Sequence, residues 1–252
     1  MNHIGDTSAA SKADLFISDL HLCASRPHIT LAFLNFLSST AKHARALYIL
    51  GDLFEYWAGD DDISSHKAVI NGLSDLANSG VQLYLMHGNR DFLLGPAFFA
   101  AAKITLLADP SLVVLHGVHT LISHGDALCS DDVDYQAFRL KVRNEDWQNA
   151  FLQQALADRK TQIDAMRARS AQEKSHKSSQ IMDINPQSLA QLLQVHDYPA
   201  RFIHGHTHRP KQHDLVLQGH TIERWVLGDW YEQGSYLSCE PSGCHYRPIN
   251  KT

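Results

Sequence analysis

Cysteine is scarce, with only 4 in 252 residues, and no two of them have the C-x-x-C spacing of a zinc ribbon or a redox motif. Cys239 and Cys244 flank Glu-Pro-Ser-Gly, a turn-forming stretch, and are expected to be two reduced thiols beside a hairpin turn. Long hydrophobic runs are missing as well. The longest, 97–102, is far too short for a membrane-spanning helix. The stretch 1–16 has no basic start followed by an apolar region, so no secretory signal is expected and the chain reads as cytoplasmic. An excess of positive charge is also absent: 22 Lys and Arg stand against 27 Asp and Glu, a net charge of −5. This excludes a surface built throughout to track nucleic-acid phosphates, so no nucleic-acid partner is expected and any anion site must be local.

Histidine, by contrast, is plentiful, with 17 residues, which favours imidazole and carboxylate metal chemistry over thiolate sites. At 44% hydrophobic and 19% charged, the chain can bury one full core and carry a sub-domain.

Short β-rich apolar runs at 15–18, 47–50 and 83–86 alternate with helical stretches at 28–43 and 64–79, which are long enough for crossover helices. The pattern predicts a layered α/β sheet. Runs at 112–115 and 120–123, separated by His116-Gly-Val-His119, predict a hairpin, and 202–204 and 225–227 predict further strands. Between 132 and 199 the chain turns polar, rich in Gln and Ala, with strong helix formers. Apolar residues at Phe138 and Val142, then Trp147, Phe151 and Ala155, then Ile163 and Met166, fall on one side of successive helices. The domain expectation is therefore a core of 12–131 and 200–252 with an inserted helical cap at 132–199. Asp60, Asp61 and Asp62 are read as a turn and cap before a helix starting at Ser64.

Five of the apolar strands run into metal-ligand residues. Residues 15–18 lead to Asp19 and His21, 47–50 to Asp52, 83–86 to Asn89, 120–123 to His124, and 201–203 to His206 and His208. Taken singly, each is an ordinary cap or a satisfied polar group. Five with the same polarity relative to their strands are a constellation, because ligands of α/β sheets bind outside the carboxyl ends of strands. Asp19 and His21, like His206 and His208, are two residues apart, so in extended chain they project to the same side.

D-x-H, G-D, G-N-R-D, H-G-D and G-H-T-H in this order resemble the signature of the calcineurin-like metallophosphoesterases. Within them, Phe16-Ile-Ser-Asp-Leu-His-Leu22, Gly51-Asp-Leu-Phe-Glu55, His87-Gly-Asn-Arg-Asp-Phe-Leu93, His124-Gly-Asp-Ala-Leu-Cys129 and Ile203-His-Gly-His-Thr-His-Arg-Pro210 are similar to segments of the UDP-2,3-diacylglucosamine diphosphatases. The resemblance implies a layered fold of β-sheets flanked by helices, with two divalent metal ions. One ion would be held by Asp19, His21, Asp52 and His208, and the other by Asp52, Asn89, His124 and His206, with Asp52 bridging. Mixed oxygen and nitrogen ligands suit Mn, Fe or Zn, and the family favours manganese. The implied activity is hydrolysis of the pyrophosphate of UDP-2,3-diacylglucosamine at the α-phosphorus, giving UMP and 2,3-diacylglucosamine 1-phosphate for lipid A synthesis. This would take place at the cytoplasmic face of the inner membrane, with the protein bound peripherally.

Many phosphodiesterases of the superfamily carry His after the Asn as a proton donor, where this chain has Arg90. Arg cannot serve as a general acid near neutral pH, but it can clamp phosphate oxygens, and a phosphate leaving group with a second pKa of about 6 needs no acid. Catalytic roles are thus implied for Asp52, Asn89, Arg90 and His206. Implied substrate contacts are Asn89, Arg90, Asp132, Ser170, Lys174, Lys177 and His206, with Lys174 standing where the family has Asn. From sequence alone, the charged stretch 158–177 reads as a solvated helix face, and the apolar stripe 138–166 as helix packing. The resemblance adds phosphate contacts and an acyl-chain chamber over the metals. A nucleotide or dinucleoside polyphosphate hydrolase would keep the same ligands without a lipid-shaped cap. An inactive scaffold would not be expected to keep every ligand position filled.

Overall fold

The structure, a computed structural model, describes residues 12–176, 181, 183–232 and 234–249. Lys177 and the side chain of Lys174 lie outside the described residues.

Strands β1 (Asp14–Ile17), β2 (Ala46–Leu50) and β3 (Gln82–Met86) run parallel. Their near-continuous apolar sequences match a sheet covered on both faces. They form the centre of a six-stranded sheet in the order β11-β10-β1-β2-β3-β4, completed by β4 (Thr105–Leu106), β10 (Ser235–Glu240) and β11 (Gly243–Pro248). A five-stranded sheet has the order β5-β6-β7-β9-β8, from β5 (Ser111–Leu115), β6 (Val118–Ser123), β7 (Arg201–His204), β8 (Lys211–Leu217) and β9 (His220–Val226).

Alternation along the strands sorts the core into layers. Leu15, Ile17, Leu47 and Ile49 point to one face and pack with helices α1 (Pro27–Ser39) and α2 (Lys67–Asn78), through Phe33, Phe36 and Leu73 among others. Phe16, Tyr48 and Met86 point the other way and meet Ile122, Ile203 and Trp225 of the second sheet. Leu121, Phe202 and Ile222 face outward from that sheet against Leu189 and Leu193 of α7 (Pro186–Val195). The result is helix, sheet, sheet, helix, with the apolar centre between the sheets.

Within 132–199, α4 (Val133–Val142), α5 (Glu145–Leu152) and α6 (Leu156–His176) form one group, with Phe151 and Ile163 joining the core under α1 and α2. α7 instead covers the second sheet, and Asn185 caps it by accepting from the backbone N–H groups of Gln187 and Ser188.

Three local expectations are corrected. Cys239 and Cys244 form a disulfide, because the β10–β11 register sets them directly opposite each other and cross-strand neighbours bring their Cβ atoms within reach. The β5–β6 turn is shorter than expected, since β6 begins at Val118 and His116 and Gly117, both at positive φ, make a two-residue hairpin loop. The acidic run does not cap a helix at Ser64. Residues 60–66 form a 3₁₀ helix, α2 begins at Lys67, and Asp60 serves another element. Its carboxylate accepts from Trp57 Nε1 at 3.0 Å, Gly95 N at 3.0 Å, Ala97 N at 2.8 Å and Phe98 N at 3.3 Å, closing the start of α3 (Pro96–Ala102). Asp60→Ala should therefore lower stability by about 2–3 kcal/mol in urea unfolding. Divalent-ion uptake, which involves none of these groups, should be unchanged.

Candidate active site

The parallel strands β1, β2 and β3 and the strands β6 and β7 bring their carboxyl ends together at one edge of the sandwich. Asp19 (φ 57°), His21 (50°), Asp52 (55°), His206 (65°) and His208 (55°) all leave their strands in the left-handed backbone region. Asp and His enter this region more readily than most side chains, and such conformations persist where the surroundings over-determine them.

The side chains converge. His208 Nε2 lies 3.2 Å from Asp19 Oδ1 and 3.4 Å from His21 Nε2, and His21 Nε2 lies 3.8 Å from Asp52 Oδ2. On the other side, His124 Nε2 lies 3.9 Å from Asp52 Oδ2 and 3.1 Å from Asn89 Oδ1, which is 2.9 Å from His206 Nδ1. All seven expected ligands are thus brought together, with Asp52 between the two halves. Asp19, Asp52 and His124 are fully or almost fully buried. Arg90 sits beside them, its backbone N–H donating to Asp52 Oδ1 at 2.8 Å and its side chain facing the adjoining cavity, which Ser170 of α6 also lines. Asp132 lines the cavity too, but its carboxylate first caps α4, accepting from Tyr135 N at 3.1 Å.

Several supporting residues were not assigned from sequence. Asp91, fully buried, accepts from the backbone N–H groups of Leu53 at 2.7 Å, Gly88 at 2.9 Å, Asp52 at 3.3 Å and Phe54 at 3.4 Å, tying the β2 and β3 loops together. Those loops touch so closely that a Cβ on Gly88 would stand 2.0 Å from Asp52 Oδ1. Asp229 accepts from His208 Nδ1 at 3.1 Å. Its signal was present in the sequence, as an apolar strand followed by Gly-Asp, the same arrangement that marks Asp52. Tyr135 stacks on His206, ring centres 5.9 Å apart, and donates its hydroxyl to Asp126 at 2.6 Å, where Arg139 also binds.

The sequence model of the calcineurin-like phosphoesterases matches residues 15–210. The chain belongs to this family. The UDP-2,3-diacylglucosamine hydrolase of Aromatoleum aromaticum is 50% identical over 230 residues, 91% of this chain and 94% of that protein. The protein of the same name in Aeromonas hydrophila subsp. hydrophila is 50% identical over 229 residues, covering 90% and 94%, and that of Escherichia coli O81 is 47% identical over 226 residues, covering 89% and 94%.

Calcineurin-like phosphoesterase membership implies divalent metal ions, and the residues fit them. Two overlapping groups, Asp19 with His21 and His208, and Asp19 with Asp52 and His124, have ligand atoms close enough to share an ion. Asp19 Oδ1 is buried and faces the His208 imidazole at 3.2 Å. His124 Nδ1 lies 2.8 Å from the Leu50 carbonyl, so Nδ1–H donates outward and Nε2 is the nitrogen that faces inward.

The local field also favours cations. Burial pushes the Asp52 carboxyl up to about 7. Burial works to lower His124, yet Asp52, Asp126, Asp19 and Asp109 raise it to about 9. For His208 burial is again opposed, and the Asp19 and Asp229 carboxylates raise it to about 10. Raised values mean that both imidazoles hold a proton at neutral pH unless a cation displaces it. Metal binding must therefore release protons, and its affinity should strengthen by roughly tenfold or more from about pH 6.5 to about pH 8.5. Calorimetry in buffers of different ionisation enthalpy measures the release, and a buffer-independent heat would contradict it. Gly88→Ala should cut metal uptake along with stability, since the added methyl displaces Asp52.

Proposed function

We propose that the protein hydrolyses the pyrophosphate bond of UDP-2,3-diacylglucosamine at the α-phosphorus, giving UMP and 2,3-diacylglucosamine 1-phosphate in lipid A synthesis. The observation that carries this reading is a cavity of about 710 Å³ that begins at Asn89, Arg90 and His206 and continues between the helices of the insertion. Its apolar lining includes Phe92, Phe138, Trp147, Phe151 and Met166. A polar floor at the ligand cluster and an apolar chamber beyond it suit a substrate with a diphosphate at one end and acyl chains at the other. The relatives' shared name supports the same substrate.

In this reading Asp19, His21, Asp52 and His208 hold one ion, Asp52, Asn89, His124 and His206 hold the second, and manganese suits their mixed donors. When bound, two such ions supply Lewis acidity, lowering the water pKa and offsetting charge on the phosphoryl oxygens. Asp52 is fixed for a shared role by its bond from Arg90 N and by the Asp91 network around its backbone. Arg90 clamps non-bridging oxygens, while the phosphate monoester departs without a proton donor. Asp132 and Ser170 meet the substrate from the cavity wall, and the Lys174 side chain and Lys177, which lie outside what the structure describes, are proposed to extend these contacts.

Among the described residues, no helix is long and apolar enough to cross a membrane. Val133 and Leu140, 71% and 72% exposed, share a face of α4, whose Phe138 lines the cavity. They support peripheral docking at the cytoplasmic face of the inner membrane, from which the acyl chains would enter.

Turnover in ¹⁸O-labelled water with manganese should place the label in UMP, and a chelator should abolish turnover. Label in the sugar phosphate would overturn attack at the α-phosphorus. Asp52→Ala should reduce kcat by roughly a thousandfold or more, whereas Arg90→Ala should reduce it by roughly a hundredfold with metal content intact. Loss of an ion in Arg90→Ala would merge the clamp with the ligands.

A further inference from the structure

An imidazole that ligates a metal through one nitrogen ordinarily donates from the other to an acceptor that fixes its ring. His124 has such an acceptor in the Leu50 carbonyl, and His208 has one in Asp229. His21 differs. Its Nε2 faces Asp52 and His208, but its Nδ1, on a ring only 3% exposed, has no hydrogen-bond partner. The carboxylate facing Nδ1 is Glu55, with Oε2 3.9 Å away, beyond hydrogen-bond range by less than one ångström of side-chain movement.

Local pairing explains the proximity. A parallel bridge joins Leu22 to Phe54 just past the ends of β1 and β2, and Glu55 N donates to Leu22 O at 3.1 Å, setting His21 and Glu55 side by side. Glu55 is in turn gripped from two directions. Arg26 Nη2 donates to its Oε2 at 2.5 Å and to the His21 carbonyl at 3.1 Å. Arg167 of α6 donates to Oε1 through Nη2 at 3.0 Å and Nε at 3.3 Å. Arg26 belongs to the core, whereas Arg167 belongs to the insertion.

We propose that Glu55 is the outer acceptor for His21 Nδ1–H, and that Arg167 makes its position depend on the docking of α6, so that seating of the cap and ligation by His21 are coupled. Glu55 is thus a positioning residue acting through His21. The coupling is reciprocal: cations tighten the docking of α6, and a docked α6 tightens cation binding. A substrate that seats the cap would thereby sharpen the ligand geometry beneath it.

The inference rests on the metal-site reading, and manganese titration of the metal-stripped full chain, without substrate, separates the two. Wild type should bind manganese; no uptake would overturn the metal reading and this inference with it. Glu55→Gln, close to isosteric, should weaken manganese binding by roughly tenfold. Arg167→Met should weaken it by roughly threefold or more although Arg167 touches no ligand. The double variant should bind no more weakly than Glu55→Gln, because both changes act through one carboxylate. Manganese should slow amide exchange along α6 in wild type and not in Glu55→Gln. Unchanged affinity in Glu55→Gln, with only a lower Tm, would reduce Glu55 to a structural ion pair. Wild-type affinity in Arg167→Met would overturn the coupling to the cap.

Discussion

Four backbone amides, those of Asp52, Leu53, Phe54 and Gly88, converge on the buried carboxylate of Asp91, and the geometry of the site depends on that convergence. β2 and β3 are parallel neighbours, so their exit loops would otherwise diverge into separate crossovers. Asp91 holds them in contact, which puts Asp52 into its left-handed conformation beside Gly88 and presents Asn89 and Arg90 from the same short loop. Interactions of an ionised carboxylate with N–H donors are about twice as strong as neutral ones, so the loops can hold conformations that cost about 1–3 kcal/mol each.

α6 is attached to the loop after β2 by charge. Arg159, almost wholly buried, donates to the Ala58 carbonyl at 2.6 Å and pairs with Asp61, while Lys160 pairs with Asp62 at 2.7 Å. Together with Arg167 on Glu55, these contacts tie α6 from its first turn to its middle to the loop that follows β2. The apolar stripe of the insertion is thereby freed from carrying all the docking. Phe151 and Ile163 enter the core and Trp147 and Met166 pack against it, and all four line the cavity together with Phe138.

Much of this was legible in the sequence where the physics is local. Strand ends followed by Asp, Asn or His pointed to the seven side chains that converge, because the residue after a parallel strand has few places to go except the sheet edge. Hydrophobic periodicity likewise located the helices α4 to α6. What escaped was set by tertiary contact. Asp60 looks like a local cap, but its donors come from residues 57 and 95–98. The Cys239–Cys244 bond follows from strand register, which a turn sequence alone leaves open. The basic run on α6 reads as a solvated face until its acidic partners Glu55, Asp61 and Asp62 are seen across the interface.

Ligand cluster and cavity form one continuous surface in this account, so the lipid end of the substrate should contribute to the chemistry at its phosphates. Binding energy from a remote group can be expressed as faster reaction at the reacting centre. The most direct measurement is kcat/KM for UDP-2,3-diacylglucosamine against acyl-free UDP-glucosamine on the manganese-loaded protein. The diacyl substrate should be favoured by roughly a thousandfold or more, with part of the difference in kcat. Equal values for the two would contradict it and make the chamber a structural feature of a general nucleotide pyrophosphatase.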